Sequence, residues 1–191
     1  DIICTFYLLK NSNLYVYFKN FYTKYYWGDK MLNLNTKEKS LLEDAKEHET
    51  LCVAKYKDHA EKTNCQELKN LFNSLASKEQ QHLDTINQIL NGTVPNINQN
   101  ASQGQGNEQN TQSEFNLGNL QGQIQMNYNE GDKLLCQDAL STEKYVSSTY
   151  NTSIFEFRDK NIRQVLNHIQ KEEQEHGEQI YNYMNKHGMY N

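Results

Sequence analysis

Six residues in this chain have the types and spacing to hold metal ions: Glu49, Glu143, and two Glu-x-x-His pairs, Glu79 with His82 and Glu173 with His176. Residues three apart on a helix share a face, so each pair can present a carboxylate and an imidazole to one point. All six interrupt otherwise apolar helical stripes. A carboxylate carried from water into such a place must be paired, protonated or bound to a cation. Four carboxylates balance the charge of two divalent ions, and a mixed oxygen and imidazole donor set suits iron or manganese better than a thiolate-seeking metal. One Glu-x-x-His alone is most often a solvated helix face, whereas two at matching positions, each preceded by a core Glu, are a sharper signal. The competing reading is a polar cluster held by hydrogen bonds and protons, copied without regard to chemistry.

Four helices must position these residues. The period of apolar residues predicts a first helix over 36–62, with the Thr36 hydroxyl as cap and a stripe of Leu41, Ala45, Cys52, Tyr56 and Ala60 in which Glu49 falls. A second is predicted over 66–90, with Leu68, Phe72, Leu75, Ile86 and Leu90 inward, ended by Asn91-Gly92. From 92 to 128 the chain is rich in Asn, Gln, Ser and Gly; it cannot bury enough apolar surface to fold and is expected to be a linker. A third helix is predicted over 130–157 and a fourth over 161–186, closed by His187-Gly188.

A constant shift of 94 positions lays the first pair of helices on the second without a gap. It puts Leu41 on Leu135, Asp44 on Asp138, Ala45 on Ala139, Glu49 on Glu143, Tyr56 on Tyr150, Leu68 on Ile162, Phe72 on Leu166 and Leu75 on Ile169. Glu79-Gln80-Gln81-His82 then falls on Glu173-Gln174-Glu175-His176, and Ile86 on Ile180. Duplication of a helical hairpin is the natural explanation. The fold expected is all-α: a four-helix bundle made of two tandem hairpins, 31–91 and 129–191, joined by a long crossover linker, 92–128, into one domain over 31–191.

The remaining composition narrows the function. A chain of 191 residues can bury one sizeable core. A net charge of −5 with Lys and Glu intermixed offers no basic stripe, which argues against nucleic acid as a partner. The four cysteines, Cys4, Cys52, Cys65 and Cys136, lie far apart without CxxC spacing, which suits a reducing compartment; Cys52 and Cys136 are expected to be buried and unpaired. No run is long enough to span a membrane, and Ile2–Leu9 lacks the features of a secretory signal, so an intracellular protein is expected. Residues 1–30 crowd Phe, Tyr, Asn and Lys without period. Trp27-Gly28-Asp29-Lys30-Met31 back-translates to a purine-rich stretch just before an AUG, like a bacterial ribosome-binding site, so Met31 is the expected start; the alternative is a Tyr-rich docking arm. His48, His59, His168 and His187 lie off the shared constellation and are expected at the surface or its edge.

The set of Glu49, Lys55-Tyr56 and Ala60 on the first helix, with Lys78-Glu79-Gln80-Gln81-His82 on the second, resembles the rubrerythrin and ferritin-like superfamily. The resemblance implies ligand roles for Glu49, Glu79, His82, Glu143, Glu173 and His176, with two iron or manganese ions. Tyr56 and Tyr150 then stand either beside the ligands or simply as core filling, the commoner role of a buried Tyr. In the second half, Ser141-Thr142-Glu143-Lys144-Tyr145, Tyr150-Asn151-Thr152, Ile154-Phe155-Glu156 and the unbroken run from Arg163 to Gly177 are similar to the Coat F domain, as is the ending Tyr183-Met184 and Gly188-Met189-Tyr190. That resemblance covers about 130–191. It implies a protein made in the mother cell of an endospore-forming bacterium and laid into the spore coat among other coat proteins. Two functions are therefore expected as alternatives: a structural coat protein, or a di-iron or di-manganese oxidoreductase acting on peroxide or ferrous iron. Because one chain carries the full ligand set, a homodimer is not required to build the site, although such bundles often pair.

Overall fold

The structure, a computed structural model, describes residues 32–96 and 128–190. The expected non-native segment 1–30 and most of the expected linker lie outside the described residues. The described residues from 34 onward form one compact unit, in which every regular element is helical: α1 (Thr36–Lys62), α2 (Gln66–Leu90), α3 (Glu130–Ile154) and α4 (Lys160–Lys186).

Each helix starts and stops for a local reason. At α1 the cap is Asn35 rather than Thr36. The Asn35 side chain accepts the Glu38 N–H at 2.9 Å while Glu38 accepts the Asn35 N–H at 2.8 Å, a reciprocal capping box. Asn129 caps α3 by accepting from Gly131, and Asp159 caps α4 by accepting from Asn161 and Ile162. The α3 helix stops at Ile154, short of the expected Phe157. The Arg158 N–H donates to Glu38 at 2.9 Å and Asp159 is already committed to α4, so residues 155–159 form the connection. After α2 and α4 the chain turns on Gly92 (φ 87°) and Gly188 (φ 69°), where a side chain would be strained.

Buried positions recur at alternating intervals of four and three in all four helices. In α2 they are Leu68, Phe72, Leu75, Glu79, His82, Ile86 and Ile89; in α4, Ile162, Leu166, Ile169, Glu173, His176, Ile180 and Tyr183. In α1 they are Glu38, Leu42, Ala45, Glu49, Cys52, Tyr56 and His59; in α3, Asp132, Cys136, Ala139, Glu143, Val146, Tyr150 and Ser153. This is the seam that packs helices nearly along one another. It moves two expected core residues: Leu42 and Ile89, 1% and 0% exposed, are inside, while Leu41 and Leu90 are half-buried at its edge.

The longest contacts run between α1 and α2 and between α3 and α4, with lighter packing of α1 on α3 and α2 on α4. Both lighter pairs are antiparallel. Along α1 and α3, Glu49 meets Tyr150, Tyr56 meets Glu143 and His59 meets Asp138. Along α2 and α4, Glu67 meets Lys186, Glu79 meets His176 and His82 meets Glu173. With a tight turn inside each pair, the directions are up, down, down, up. The end of α2 and the start of α3 therefore lie at opposite ends of the bundle, about 37 Å apart for helices of this length.

Candidate metal centre

Halfway along the bundle each seam carries charge where its neighbours carry hydrocarbon. Glu49 and Glu79 are 0% exposed, Glu173 is 1%, and Glu143, His82 and His176 are 2%. All six candidate residues of the sequence converge there, one Glu from each of α1 and α3 and one Glu-x-x-His from each of α2 and α4. They fall into two groups: Glu49, Glu79, His82 and Glu173 in one, and Glu79, Glu143, Glu173 and His176 in the other, with donor atoms within 4.8 Å of one another in each. Glu79 and Glu173 belong to both groups. Glu49 and Glu143 each belong to one.

Contacts obey the same 94-residue exchange that relates the halves of the sequence. His82 Nδ1 lies 2.9 Å from Glu173 Oε1, and its counterpart His176 Nδ1 lies 2.9 Å from Glu79 Oε1. Tyr150 donates its hydroxyl to Glu49, and Tyr56 donates to Glu143. The two imidazoles stack with centroids 5.5 Å apart. Both tyrosines thus fill core space and also orient a candidate ligand.

Electrostatics shows why this cluster is costly without cations. Burial pushes the Glu49 carboxyl up to about 7, with Glu79 adding repulsion and His82 opposing it. Burial likewise drives Glu173 well above the usual carboxylate range. Burial would raise Glu79 as well, but the His176 and His82 imidazoles beside it outweigh that and hold Glu79 at about 2. Burial disfavours charge on the histidines, yet the surrounding carboxylates win: His82 is raised well above the ordinary imidazole value, and His176 is raised to about 10. Protons are doing what divalent cations could do. The donor geometry fits such ions, because Glu49 Oε2, Glu79 Oε1, Glu143 Oε2, both oxygens of Glu173 and His176 Nδ1 are buried without a hydrogen-bond partner. His176 Nδ1 and Glu79 Oε1 lie 2.9 Å apart as an ion pair whose alignment falls short of a hydrogen bond.

Two neighbours complete the surroundings. Glu172 on α4 lies 3.0 Å from His82 Nε2. Burial would raise its carboxyl, but the His82 contact outweighs that and lowers it to about 2, so Glu172 is the acceptor and His82 Nε2 carries the proton. Cys52 is 3% exposed; burial, followed by the four nearby carboxylates, drives its thiol far up, which leaves it an apolar filler. Cys136 is fully buried and pushed up to about 12 by the same cause. Among the described residues, Cys52, Cys65 and Cys136 are free thiols.

The histidines off the constellation divide. His59 is a correction to the expectation: it is 6% exposed, edge-on to Phe72 at 5.3 Å, and its Nε2 lies 3.0 Å from Asp138. It falls on the α1 seam one turn beyond Tyr56 and two beyond Cys52, a signal legible in the spacing. His168 and His187 are partly exposed, and His48 is half-buried against the Tyr145 ring at 5.4 Å. Asp138 Oδ2 also pairs with Lys55 at 2.9 Å, which pins α1 to α3 beside the centre. No helix among the described residues is long and apolar enough to cross a membrane.

The class of protein defined by this architecture is a four-helix bundle with a buried carboxylate and imidazole cluster at mid-height. Residues 131–191, which hold α3, α4 and three of the six candidate ligands, match the Coat F domain. Neither a curated protein nor a solved structure gives a match to the chain.

Proposed function

We propose that this chain is a spore coat protein of an endospore-forming bacterium whose ferritin-like bundle, duplicated from one hairpin, carries a di-metal carboxylate centre. The single observation that carries the coat role is the Coat F match over 131–191. The up, down, down, up order of helices supports the ferritin-like reading, since such bundles need one long crossover between their second and third helices. Docking into a protein layer draws support from large apolar side chains on the outside: Leu51, Leu134, Tyr145 and Phe155 are 65%, 63%, 59% and 83% exposed, and Leu51 and Tyr145 line one groove. Other coat proteins are the partners proposed. The whole ligand set lies in one chain, so a homodimer is not needed to complete it.

Glu49, Glu79, His82, Glu143, Glu173 and His176 would hold two iron or manganese ions, which when bound supply redox or Lewis-acid chemistry. The chain's own part is to keep the site dry, to hold each imidazole with Nδ1 facing the carboxylates, and to fix Glu49 and Glu143 through the tyrosine hydroxyls. A second reading, an oxidoreductase acting on peroxide or ferrous iron, is favoured by the shared Glu79 and Glu173, which would place two ions side by side.

Elemental analysis tests the centre: protein purified without chelator and offered Fe²⁺ and Mn²⁺ without oxygen should carry about two ions per chain, as the two overlapping groups imply. A Glu79→Ala, Glu173→Ala double variant should lose them. Absence of metal from the parent protein would leave a coat protein without the centre. Immunogold labelling of sporulating cells tests the coat role, and retention in the mother-cell soluble fraction would overturn it. Peroxide consumption by the metal-loaded parent, lost in the double variant, would favour the oxidoreductase.

A further inference from the structure

The exchange by 94 positions that maps each candidate ligand onto its partner fails on the outer side of the two imidazoles, and that failure makes the two halves unequal. His82 Nδ1 faces the carboxylates of the cluster, and on its far side Nε2 donates to Glu172 at 3.0 Å. The position equivalent to Glu172 in the first hairpin is Lys78. Among the described residues no carboxylate pairs with His176 through Nε2; its ion pairs, with Glu79 and Glu143, both run through Nδ1. One imidazole is therefore backed by an anion, while the other has an ammonium-bearing residue at the corresponding place.

Glu172 is itself held. Lys78 Nζ lies 3.4 Å from its Oε1, and His168 Nε2 lies 3.5 Å from its Oε2. A carboxylate that accepts the outer N–H of a ligating imidazole fixes its tautomer and ring angle and increases the basicity of the inner nitrogen; loss of such a partner typically costs 10–100-fold in metal affinity.

Resting on the di-metal reading, we infer that Glu172 is a positioning residue that makes the His82 half of the centre the tighter of two unequal sites, so that a first divalent cation loads there and a second loads at His176. The inequality lies in the outer contacts, because the inner donors are matched: each half has its own Glu and His and shares Glu79 and Glu173.

Anaerobic titration of the full chain with Co²⁺, followed by calorimetry and by visible absorption, reads each step. The parent protein should show two steps separated by about 10–100-fold in affinity. Glu172→Gln keeps the shape and removes the charge; it should weaken the first step by that factor, shift the absorption band of the first equivalent, and leave the second step within about twofold. His82→Gln should abolish the tight step and His176→Gln the weak one, with circular dichroism and melting temperature confirming that each variant is folded. Two equal steps in the parent protein, or equal weakening of both steps by Glu172→Gln, would overturn the inequality while leaving the di-metal centre standing. No Co²⁺ uptake at all would overturn the centre itself.

Discussion

Replacing Glu49 with Gln should stabilise the metal-free protein at neutral to alkaline pH and weaken its stabilisation by metal. In the unfolded chain Glu49 titrates near 4.5, while in the bundle burial raises it to about 7. Between those values the folded protein holds a proton that the unfolded chain has released, so stability falls as pH rises through that window. The full cost is present above pH 7. A shift from 4.5 to about 7, at 1.36 kcal/mol per pH unit, gives about 3 kcal/mol. Gln has the same shape, still accepts from the Tyr150 hydroxyl and never ionises. The difference in unfolding free energy between Glu49→Gln and the parent, measured by urea titration in chelator, should therefore grow in the variant's favour by about 3 kcal/mol from pH 4.5 to pH 8. Added metal should reverse the order. Free metal at a hundred times Kd stabilises the parent by about 2.7 kcal/mol per site, and the variant, short of one ligand, should gain less. A difference that does not vary between pH 4.5 and pH 8 would refute the claim that desolvation of a carboxylate governs this position.

Two further outcomes test the frame around the centre. Phe72 is 0% exposed, stacked on Tyr56 at a centroid distance of 6.0 Å and edge-on to His59. Phe72→Ala should cost about 3–5 kcal/mol in chemical denaturation, and a loss under 1 kcal/mol would show that the seam is not close-packed there. Glu38 accepts from the Asn35 N–H, from the Arg158 N–H and from the Arg158 guanidinium. The Arg158 side-chain hydrogen bond, ahead of the opposing burial, holds its carboxyl at about 2. Its contribution is thus fully present above about pH 4.5 and is lost as pH falls through 2. Glu38→Gln should cost about 1–2 kcal/mol at pH 7, a modest figure because the Arg158 partner is 64% exposed and screened, and should cost little once the pH is below about 2. An equal loss at both pH values would mean that shape, not charge, ties α1 to the α3–α4 connection.

The helices were legible because their seams repeat at four and three, and the ends of α1, α2 and α4 fell within a residue of expectation. The end of α3 was not, because its stop depends on Arg158 reaching Glu38 across 120 residues of sequence. An apolar residue one position off the seam, such as Leu41 or Leu90, looks as good to a helical period as one on it. Only the neighbouring helix decides which of Leu41 and Leu42, or Ile89 and Leu90, goes inside. His59 was misplaced for the converse reason: its polarity suggested the surface, while its position on the seam and the carboxylate of Asp138 allow it to be buried.

From the order of residues alone come the four helices, the 94-residue exchange and the six polar residues set into apolar stripes, because these depend on spacing along a single helix. What only the tertiary structure decided is which donors face one another. Glu79 and Glu173 are common to both halves, each tyrosine serves the opposite hairpin's glutamate, and Glu172 backs His82 while its equivalent is a lysine. Those relations join residues on different helices, and no period within one helix encodes them. They arise when antiparallel packing brings charged side chains to a common depth, where the scarcity of water makes every partner count.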